Sequence, residues 1–448
     1  MTRLKMTAGS TFKSLHNRNY RLFFGGQLVS LIGTWMQTVA LGWLVYTITK
    51  SPAQIGLITA VQFVPTLLGS IHGGLIADRF DKRKILLWTQ SLLTIQAAAL
   101  TILAISHMAT LPVLYALAIV QGAIITVDNP TRQAFVSEMV RREELTNAVG
   151  LNSAMFNAAR ILGPAIGGVL IDAVGTTTCF ALNTVSFLAV IGGLAAMRPA
   201  EFFRGVPVPR EKGALRAGLR YAWEEPTLRL VLWMILVIGT LAMNFQVLLP
   251  VVAKAVFHGT ASTYGFLSAV MGVGSLGGAL VAATRAKPTV RLLALSATAL
   301  GVSMLFDAVA PSLGLEMVAL GLTGITSITF MATANATLQL TSRPEMRGRV
   351  MAIYMLFFLG STPIGGPIVG WISEEWSARW GLAIGGVSCL VAALATIPVL
   401  SARWQGRRGA SAVSLSASGA ASGAASGAAS GAASGAVEVV PAGEPAAA

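Results

Sequence analysis

Twelve long apolar runs constrain the fold of this chain more than any other feature of its sequence. A helix needs about 20 predominantly apolar residues to cross the hydrocarbon core of a bilayer. The chain is 54% hydrophobic and 11% charged, whereas a soluble domain carries about 25% charged residues. The sequence therefore predicts an all-α integral membrane protein with twelve transmembrane helices. The runs are Leu22–Ile48, Ala53–Ala77, Ile85–Ile105, Leu111–Val127, Leu151–Ile171, Thr177–Met197, Leu228–Val252, Thr263–Ala283, Val290–Ala310, Leu313–Leu338, Val350–Ile372 and Gly381–Leu400.

The distribution of basic residues predicts the orientation. Of the 32 lysines and arginines, 28 fall in the two termini and in the loops that share their side of the membrane. Only Lys50, Lys254 and Arg379 fall in loops on the other side, and Arg160 lies within a run. By the positive-inside rule, both termini face the cytoplasm. The net charge of +14 is then a topology signal, and we expect no nucleic-acid partner.

The chain lacks the residue patterns of enzymes, metal sites and ATP-driven pumps. Its two cysteines, Cys179 and Cys389, both lie in apolar runs, and its four histidines are scattered without ligand spacing. It has no nucleophile–base motif and no phosphate-binding Gly-x4-Gly-Lys-Ser/Thr loop. We therefore expect no enzymatic activity, no metal and no cofactor. The segment Met1–Arg21 is polar and basic, so no cleavable signal is expected before the first run.

The two halves of the chain resemble each other. NPTRQ at Asn129–Gln133, assigned to the loop after the fourth run, is echoed by NATLQ at Asn335–Gln339, 206 residues later. GPAIGG, beginning at Gly163, recurs as GPIVGW, beginning at Gly366. These repeats indicate a duplicated six-helix unit, and such proteins hold their solute near the midplane between the two repeats.

The longest polar connection divides the chain midway. Its stretch LRAGLRYAWEEP suits either an interfacial amphipathic helix or a solvated linker. The tandem SGAA units near the C-terminus predict a disordered tail. The expected segments are a cytoplasmic N-terminus (1–21), a first six-helix bundle (22–197), a cytoplasmic linker (198–227), a second six-helix bundle (228–400) and a cytoplasmic tail (401–448).

A glycine and charge pattern follows the second run, in GGLIADRFDKRK at Gly73–Lys84. It resembles the loop signature of the major facilitator superfamily, and the twelve runs in two halves extend that resemblance over the whole chain. The resemblance implies that Asp78 accepts hydrogen bonds from the start of span 11, near Arg349–Ala352, and holds the inner side closed. A basic loop that only fixes topology is the alternative. At Asp81 the chain departs from the family's loop signature, which more often has glycine at this position. The gating residues implied are Gly74, Asp78, Arg79, Lys82 and Arg83, with Asp128 or Glu138 sharing the basic charge.

The fifth run contains ARILGPAIGG, residues 159–168. It resembles the glycine/proline pattern of the superfamily's exporters and proton antiporters, with Gly163, Pro164, Gly167 and Gly168 matching and Ala159 replacing a further glycine. Small residues allow two helices to approach closely, and proline bends a helix. The pattern predicts an interface that slides or seals during transport. Static close packing is the alternative.

Arg160 is the only basic residue deep in any run. Burying it costs about 2.5–3.5 kcal/mol on insertion scales, so we expect it to face the bundle interior. Drug–proton antiporters of the superfamily often carry a fourth-span arginine before Gln-Gly, but here Ala118 precedes Gln121-Gly122. Two roles remain open for Arg160: a structural pair with Asp128, or binding of a substrate anion or proton coupling. Arg132 is a further charge candidate.

Polar residues recur at helical spacing in spans 1, 4, 5, 7 and 10. In the superfamily, spans 1, 4, 7 and 10 line the central cavity, and interhelical hydrogen bonding is the alternative for each residue alone. As a set they favour a mostly uncharged cavity for a bulky, partly apolar solute. Asp307 and Glu316 are expected to be exposed at the membrane interface. The cavity candidates are Gln27, Thr34, Gln37, Gln121, Asn157, Asn244, Gln246, Thr333 and Asn335.

Within the superfamily, the opening segment Asn17–Tyr46 and the NPTRQAFV loop resemble the branch of enterobactin and macrolide exporters. The resemblance implies a monomeric exporter of a bulky small molecule in the cell membrane, driven by the proton gradient and surrounded by lipid. An importer on the same fold is the alternative, and a non-transporting sensor is a further one.

Overall fold

The computed structural model describes residues 12–203, 214–283 and 289–398, and it contains helices but no strand within these ranges. The described residues up to Thr396 form one compact unit. The predicted tail (401–448) and part of the linker lie outside the described residues. The helices are α1 (Arg18–Thr49), α2 (Pro52–Arg79), α3 (Lys82–Ile105), α4 (Leu111–Met139), α5 (Leu145–Val174), α6 (Thr176–Ala195), α7 (Ala214–Glu224), α8 (Pro226–Leu241), α9 (Phe245–Val251), α10 (Ala261–Ala283), α11 (Val290–Val309), α12 (Leu313–Thr341), α13 (Pro344–Glu375) and α14 (Ala378–Leu394).

The apolar runs coincide with these helices. Eleven candidate spans are long and apolar enough to cross a membrane, one of which joins α8, α9 and a π-helical turn at Val252–Val256. The last helix, α14, has 17 residues and is apolar but shorter. The all-α membrane class is thereby confirmed.

Several helices continue beyond the apolar runs that predicted them. The structure corrects the assignment of NPTRQ to a loop, because Asn129–Gln133 lies inside α4. Asp128 and Arg132 are one turn apart there and form an ion pair, which stabilises the helix where it leaves the apolar run. Prediction from hydropathy ends a helix at the first polar residues. In the structure the helical backbone hydrogen bonds continue through those residues, so the helix is longer than predicted.

The helices pack in two sets. The helices α1 to α6 pack on one another. The second set consists of α8 and α10 to α14, in which α8 contacts α12, α13 and α14, α10 contacts α12, and α11 contacts α12 and α14. Two long helix pairs connect the sets: α2 with α13, and α5 with α10. We call the end of the helices that carries Lys82 and Arg343 the basic end. The other end, with Lys50 and Thr260, is called the opposite end.

The amphipathic stretch of the central connection is helical, as α7. Ala222 is fully buried, and the Tyr221 hydroxyl accepts a hydrogen bond of 3.1 Å from the backbone N–H of Arg343. At Gly218 the backbone comes so close to α13 that an added Cβ would lie 2.8 Å from Cβ of Arg349. This helix is therefore packed against the start of α13 and is more than a solvated linker.

Candidate functional site

A cavity of about 170 Å³ lies where the two sets of helices meet. Its wall combines aromatic rings, hydroxyls, amides and one positive charge, that of Arg160. Helix α10 contributes Tyr264, Ser268 and Met271, none of which the sequence patterns indicated. The lining residues are Trp35, Thr38, Val39, Thr59, Phe63, Arg160, Pro164, Met243, Asn244, Phe245, Gln246, Val247, Leu249, Tyr264, Ser268, Met271 and Thr362.

Arg160 makes no ion pair among the residues that the structure describes. The pair between Arg160 and Asp128, which the sequence left open, is wrong. Asp128 is 0% exposed and pairs with Arg132, while Thr89 Oγ1 and Gln90 Nε2 donate to it at 2.6 and 2.8 Å. A cation that lines a cavity without an acidic partner is available to an anionic group of a solute.

The seventh span is interrupted beside this cavity. Helix α8 ends at Leu241 and α9 begins at Phe245, so the break lies at the depth of Arg160. Asn244 donates to the carbonyl of Thr240 at 2.6 Å, and Gln246 lines the cavity. Broken membrane helices place polar backbone and amide groups where a solute is bound.

A second, small cavity of about 20 Å³ adjoins the first and shares Thr38, Thr59 and Gln246 with it. Its remaining polar lining consists of glutamines. Gln37 accepts a hydrogen bond from Asn183 Nδ2 at 2.8 Å, and Gln121 accepts one from Gln62 Nε2 at 3.1 Å. Of the predicted cavity residues, Gln37, Gln121, Asn244 and Gln246 therefore line one of the two cavities.

The other five predicted cavity residues line neither of these two cavities. Three of them donate a hydrogen bond to the backbone carbonyl four residues earlier in their own helix: Thr34 to Ser30, Asn157 to Ser153 and Thr333 to Thr329. Asn335 accepts from Gln339 Nε2 at 2.6 Å. Gln27 is fully buried, and neither of its amide atoms has a partner in the described part of the chain. Four of these five residues hydrogen-bond within their own helices, so a polar stripe does not by itself indicate a cavity wall.

The glycine/proline pattern of α5 lies on two helix–helix contacts. Gly163 and Gly167 face α1, where a Cβ on Gly163 would lie 2.4 Å from Cβ of Trp35. Pro164 and Gly168 face α10, and a Cβ on Gly265 would lie 2.4 Å from the Pro164 carbonyl oxygen. Only glycine permits these backbone approaches. The pattern thus forms the α5–α10 contact that connects the two sets of helices.

The loop signature lies at the basic end, between α2 and α3. Lys82 pairs with Glu138 at 2.6 Å, one of the two acidic partners that the sequence suggested. Arg83 instead donates to the carbonyls of Leu194 and Ala195, and Gly74 and Arg79 lie in the last turns of α2. Asp81 has a φ of −62°, which any residue adopts, and its carboxylate caps α3 by accepting from the Lys84 N–H at 3.1 Å. An aspartate in place of glycine therefore serves as a helix cap.

The packing of α2 against α13 determines which residues of α13 lie at the same depth as Asp78. The close approaches join Pro52 to Gly370, Gly56 to Gly366 and Leu67 to Gly360, so the helices run antiparallel. Continued along α2, this register brings Asp78 level with the first turns of α13, near Arg349. The gating contact of Asp78 remains a prediction, which this register supports.

We expect Asp78→Asn to slow transport about tenfold, because the amide weakens the interaction with the positive end of α13. Insertion and folding should be unaffected, since Asp78 is exposed. The measurement is the initial efflux rate per folded protein in reconstituted vesicles. Asp81→Asn is the matched control, because it removes the same charge from the same loop and asparagine caps helices equally well. Equal rates for Asp78→Asn and wild type would refute the gating role.

Two carboxylates at the opposite end, which the sequence did not reveal, bridge the two sets of helices. Asp172, near the end of α5, accepts from the N–H groups of Ala261 and Ser262, both at 3.0 Å, at the start of α10. Glu374, near the end of α13, accepts from the Ala53 N–H at 3.0 Å, at the start of α2. The two contacts are equivalent in the two halves. Each places a negative charge at the positive end of a helix.

The structure also corrects the expectation for Asp307 and Glu316. Instead of facing the membrane interface, the two side chains are 2% and 1% exposed. The sequence placed them near the ends of two runs, but tertiary packing covers them.

An all-helical fold that spans the membrane many times, with a mixed-polarity cavity between two connected sets of helices, defines a membrane transporter. A family model described as "Transmembrane secretion effector" matches residues 9–415 of the chain. The chain belongs to this family of the major facilitator superfamily. It is therefore a multi-pass membrane transporter and not an enzyme.

The chain is similar to several characterised transporters. It is 25% identical to the staphyloferrin A transporter of Staphylococcus aureus over 83% of this chain and 93% of the relative. It is 25% identical to the enterobactin exporter EntS of Shigella boydii, over 83% and 91%. It is 24% identical to the multidrug efflux pump Tap of Mycobacterium tuberculosis, over 78% and 85%.

The fold is similar to solved transporter structures. A bacterial homologue of the lysosomal transporter Spinster, inward-facing and occupied, has a TM-score of 0.69 at 14% identity, over 86% of this chain and 97% of the other. An inward-facing bacterial homologue of the iron transporter ferroportin has a TM-score of 0.69 at 13% identity, over 85% and 98%. These similarities show the fold alone.

Proposed function

We propose that the protein is a secondary active exporter of a bulky amphipathic small molecule that carries an anionic group. The observation that carries this proposal is Arg160, a cation without an acidic partner among the described residues, in a cavity lined by aromatic rings and amides. The aromatic wall suits an apolar body, and the guanidinium suits a carboxylate or a similar group. Curated relatives named for siderophore and drug transport support this solute class.

The proposed architecture has twelve transmembrane helices in two six-helix bundles, with α14 as the twelfth. The first bundle corresponds to 22–197 and the second to 228–400, joined by the linker at 198–227. The clustering of basic residues at one end places that end, the N-terminus (1–21) and the tail (401–448) in the cytoplasm of a cell-membrane protein. A monomer suffices, because the cavity is built within one chain.

Alternating access is the proposed mechanism. The α2–α13 and α5–α10 pairs connect the two sets of helices, and their close glycine contacts suit surfaces that shift against each other. Export is favoured over import by the relatives named as exporters and by the glycine/proline pattern of α5. The proton gradient is the proposed energy source, with no bound cofactor.

Arg160→Ala tests the proposal through two matched solutes. The first is an amphipathic fluorescent dye with a free carboxylate, and the second is the methyl ester of the same dye. We expect about tenfold loss of apparent affinity for the carboxylate dye, since a hydrogen bond to a charged group contributes about 1.5–3 kcal/mol. The ester should be transported equally by both proteins.

The measurement is dye efflux from energised cells, with and without a protonophore. Arg291→Ala is the control, because Arg291 is an exposed arginine at the start of α11. Equal loss for dye and ester would show that Arg160 is structural rather than a solute ligand. Gradient-driven uptake of the dye would favour an importer, and efflux that survives the protonophore would exclude proton coupling.

A further inference from the structure

Four glutamines line the small cavity that adjoins the Arg160 site, and we call this cavity the glutamine pocket. Their side chains come from four different helices, α1, α2, α4 and α9. Among the described residues, no charged side chain lines the pocket. Its volume of about 20 Å³ is large enough for one small functional group but too small for a ring. The four residues are Gln37, Gln62, Gln121 and Gln246.

A close approach of α2 and α4 places two of these amides side by side. A Cβ on Gly122 would overlap the backbone carbonyl oxygen of Gln62, so only glycine permits this packing. Beside this contact, Gln62 Nε2 donates to Oε1 of Gln121 at 3.1 Å. In the described part of the chain, the side-chain oxygen of Gln62 and the NH₂ group of Gln121 have no hydrogen-bond partner. One acceptor and one donor therefore remain available on neighbouring side chains.

The other polar groups of the pocket wall differ in how far they are already hydrogen-bonded. The amide of Gln37 is held by two hydrogen bonds within the first set of helices. The hydroxyls of Thr38 and Thr59 donate to backbone carbonyls of their own helices. The amide of Gln246 makes no hydrogen bond to any described residue. Gln246 is also the one lining residue from the second half of the chain.

The available groups select the chemistry of an occupant. An apolar group would leave the amides of Gln62, Gln121 and Gln246 shielded from water without partners, which is unfavourable. An anionic group would find no positive charge in the pocket, whereas Arg160 lines the adjoining cavity. A carboxamide both accepts and donates hydrogen bonds. It can therefore bind the NH₂ group of Gln121 and the side-chain oxygen of Gln62 at the same time.

We propose that the glutamine pocket binds an uncharged carboxamide group of the exported solute. This inference rests on the proposed function, and it narrows the solute class to molecules that carry a carboxamide close to their anionic group. The two cavities share Thr38, Thr59 and Gln246, so one solute reaches Arg160 and the glutamine pocket together. Because Gln246 comes from the second half of the chain, a bound carboxamide contacts both halves.

Binding of matched dyes to the purified full-length protein in lipid nanodiscs tests the proposal. Each probe is a carboxylate dye that ends in a primary carboxamide on a methylene spacer, and its partner ends in an isopropyl group of similar size. The spacer is varied in length. At one spacer length, we expect the wild type to bind the carboxamide dye about tenfold more tightly, because two hydrogen bonds are formed. Equal affinities at every spacer length would show that the pocket holds only water and would overturn the proposal.

The variants Gln62→Leu and Gln121→Leu locate the source of this preference. Each should remove most of the tenfold preference while the isopropyl dye binds at least as tightly as before, which shows that the fold and the Arg160 site are intact. Gln133→Leu is the matched control, because Gln133 is an exposed glutamine of α4 that lines neither cavity. A preference that survives in both pocket variants would place carboxamide binding elsewhere and refute the assignment.

The same measurement separates this inference from the proposed function. Binding in nanodiscs depends neither on the direction of transport nor on a proton gradient. The methyl esters of the dyes repeat the comparison without the anionic group. If the wild type binds acids and esters equally, anion recognition by Arg160 fails, whereas the preference for carboxamide over isopropyl among the esters still decides the role of the glutamine pocket.

Discussion

Arg132→Ala is expected to destabilise the protein by about 3–5 kcal/mol, the typical effect of removing one partner of a buried ion pair. The remaining carboxylate, Asp128, is 0% exposed. Thr89 and Gln90 still donate to it, but neither neutralises its charge. An uncompensated charge would then lie where α3 and α4 pack together.

The free energy of unfolding in SDS titrations measures this effect, with wild type as reference. The double variant Asp128→Asn, Arg132→Gln is the matched control, because it removes both charges and keeps a polar side chain at each position. We expect it to be close to wild type. A loss in the double variant as large as that in Arg132→Ala would show that the ion pair itself, rather than an unpaired charge, sets the stability.

The double variant Asp172→Ala, Glu374→Ala is expected to favour separation of the two sets of helices at the opposite end. Each carboxylate caps the start of a helix in the other set. Loss of a helix cap costs about 0.5–2 kcal/mol, so the two together shift the equilibrium by about 1–4 kcal/mol. This free-energy change increases the ratio of separated to closed protein by roughly five- to thousandfold. Because both carboxylates are exposed, we expect an increase toward the lower end of that range.

Distances between spin labels at the exposed positions Ala173 and His258 measure this shift. Cys179 and Cys389 are buried, which favours selective labelling of introduced cysteines. We expect a longer distance population in the double variant, which also transports more slowly. Glu375→Gln is the control, because Glu375 is an exposed glutamate adjacent to Glu374. The idea is wrong if the label distances of the double variant match those of the wild type.

The buried charges show where sequence reasoning ends. Four charged residues lie in or beside apolar runs: Asp128, Arg160, Asp307 and Glu316. The sequence around them is equally compatible with several pairings of these charges. Asp128 pairs with Arg132 because one helical turn separates them. The hydrogen bond that Thr323 donates to Asp307 joins two different helices. No local pattern contains that contact.

The cavity was predicted only in part for a related reason. Asn244 and Gln246 could be identified because polar residues stand out in an apolar span. Tyr264, Ser268 and Met271 could not, because a tyrosine, a serine and a methionine are ordinary residues on the buried face of a helix. The symmetric carboxylates Asp172 and Glu374 lie at helix ends, where acidic residues are common and carry no signal by themselves.

The sequence by itself determined the class of this protein, because hydropathy, basic loops and glycine spacing are local properties. They act directly on membrane insertion and on helix packing. It also determined that α5 would pack closely on its neighbours. Only the tertiary structure decided that Arg160 lines a cavity without an acidic partner among the described residues, that Asp128 pairs with Arg132, and that Asp307 and Glu316 are each buried. These outcomes depend on distances between residues far apart in the chain, which packing fixes and composition does not.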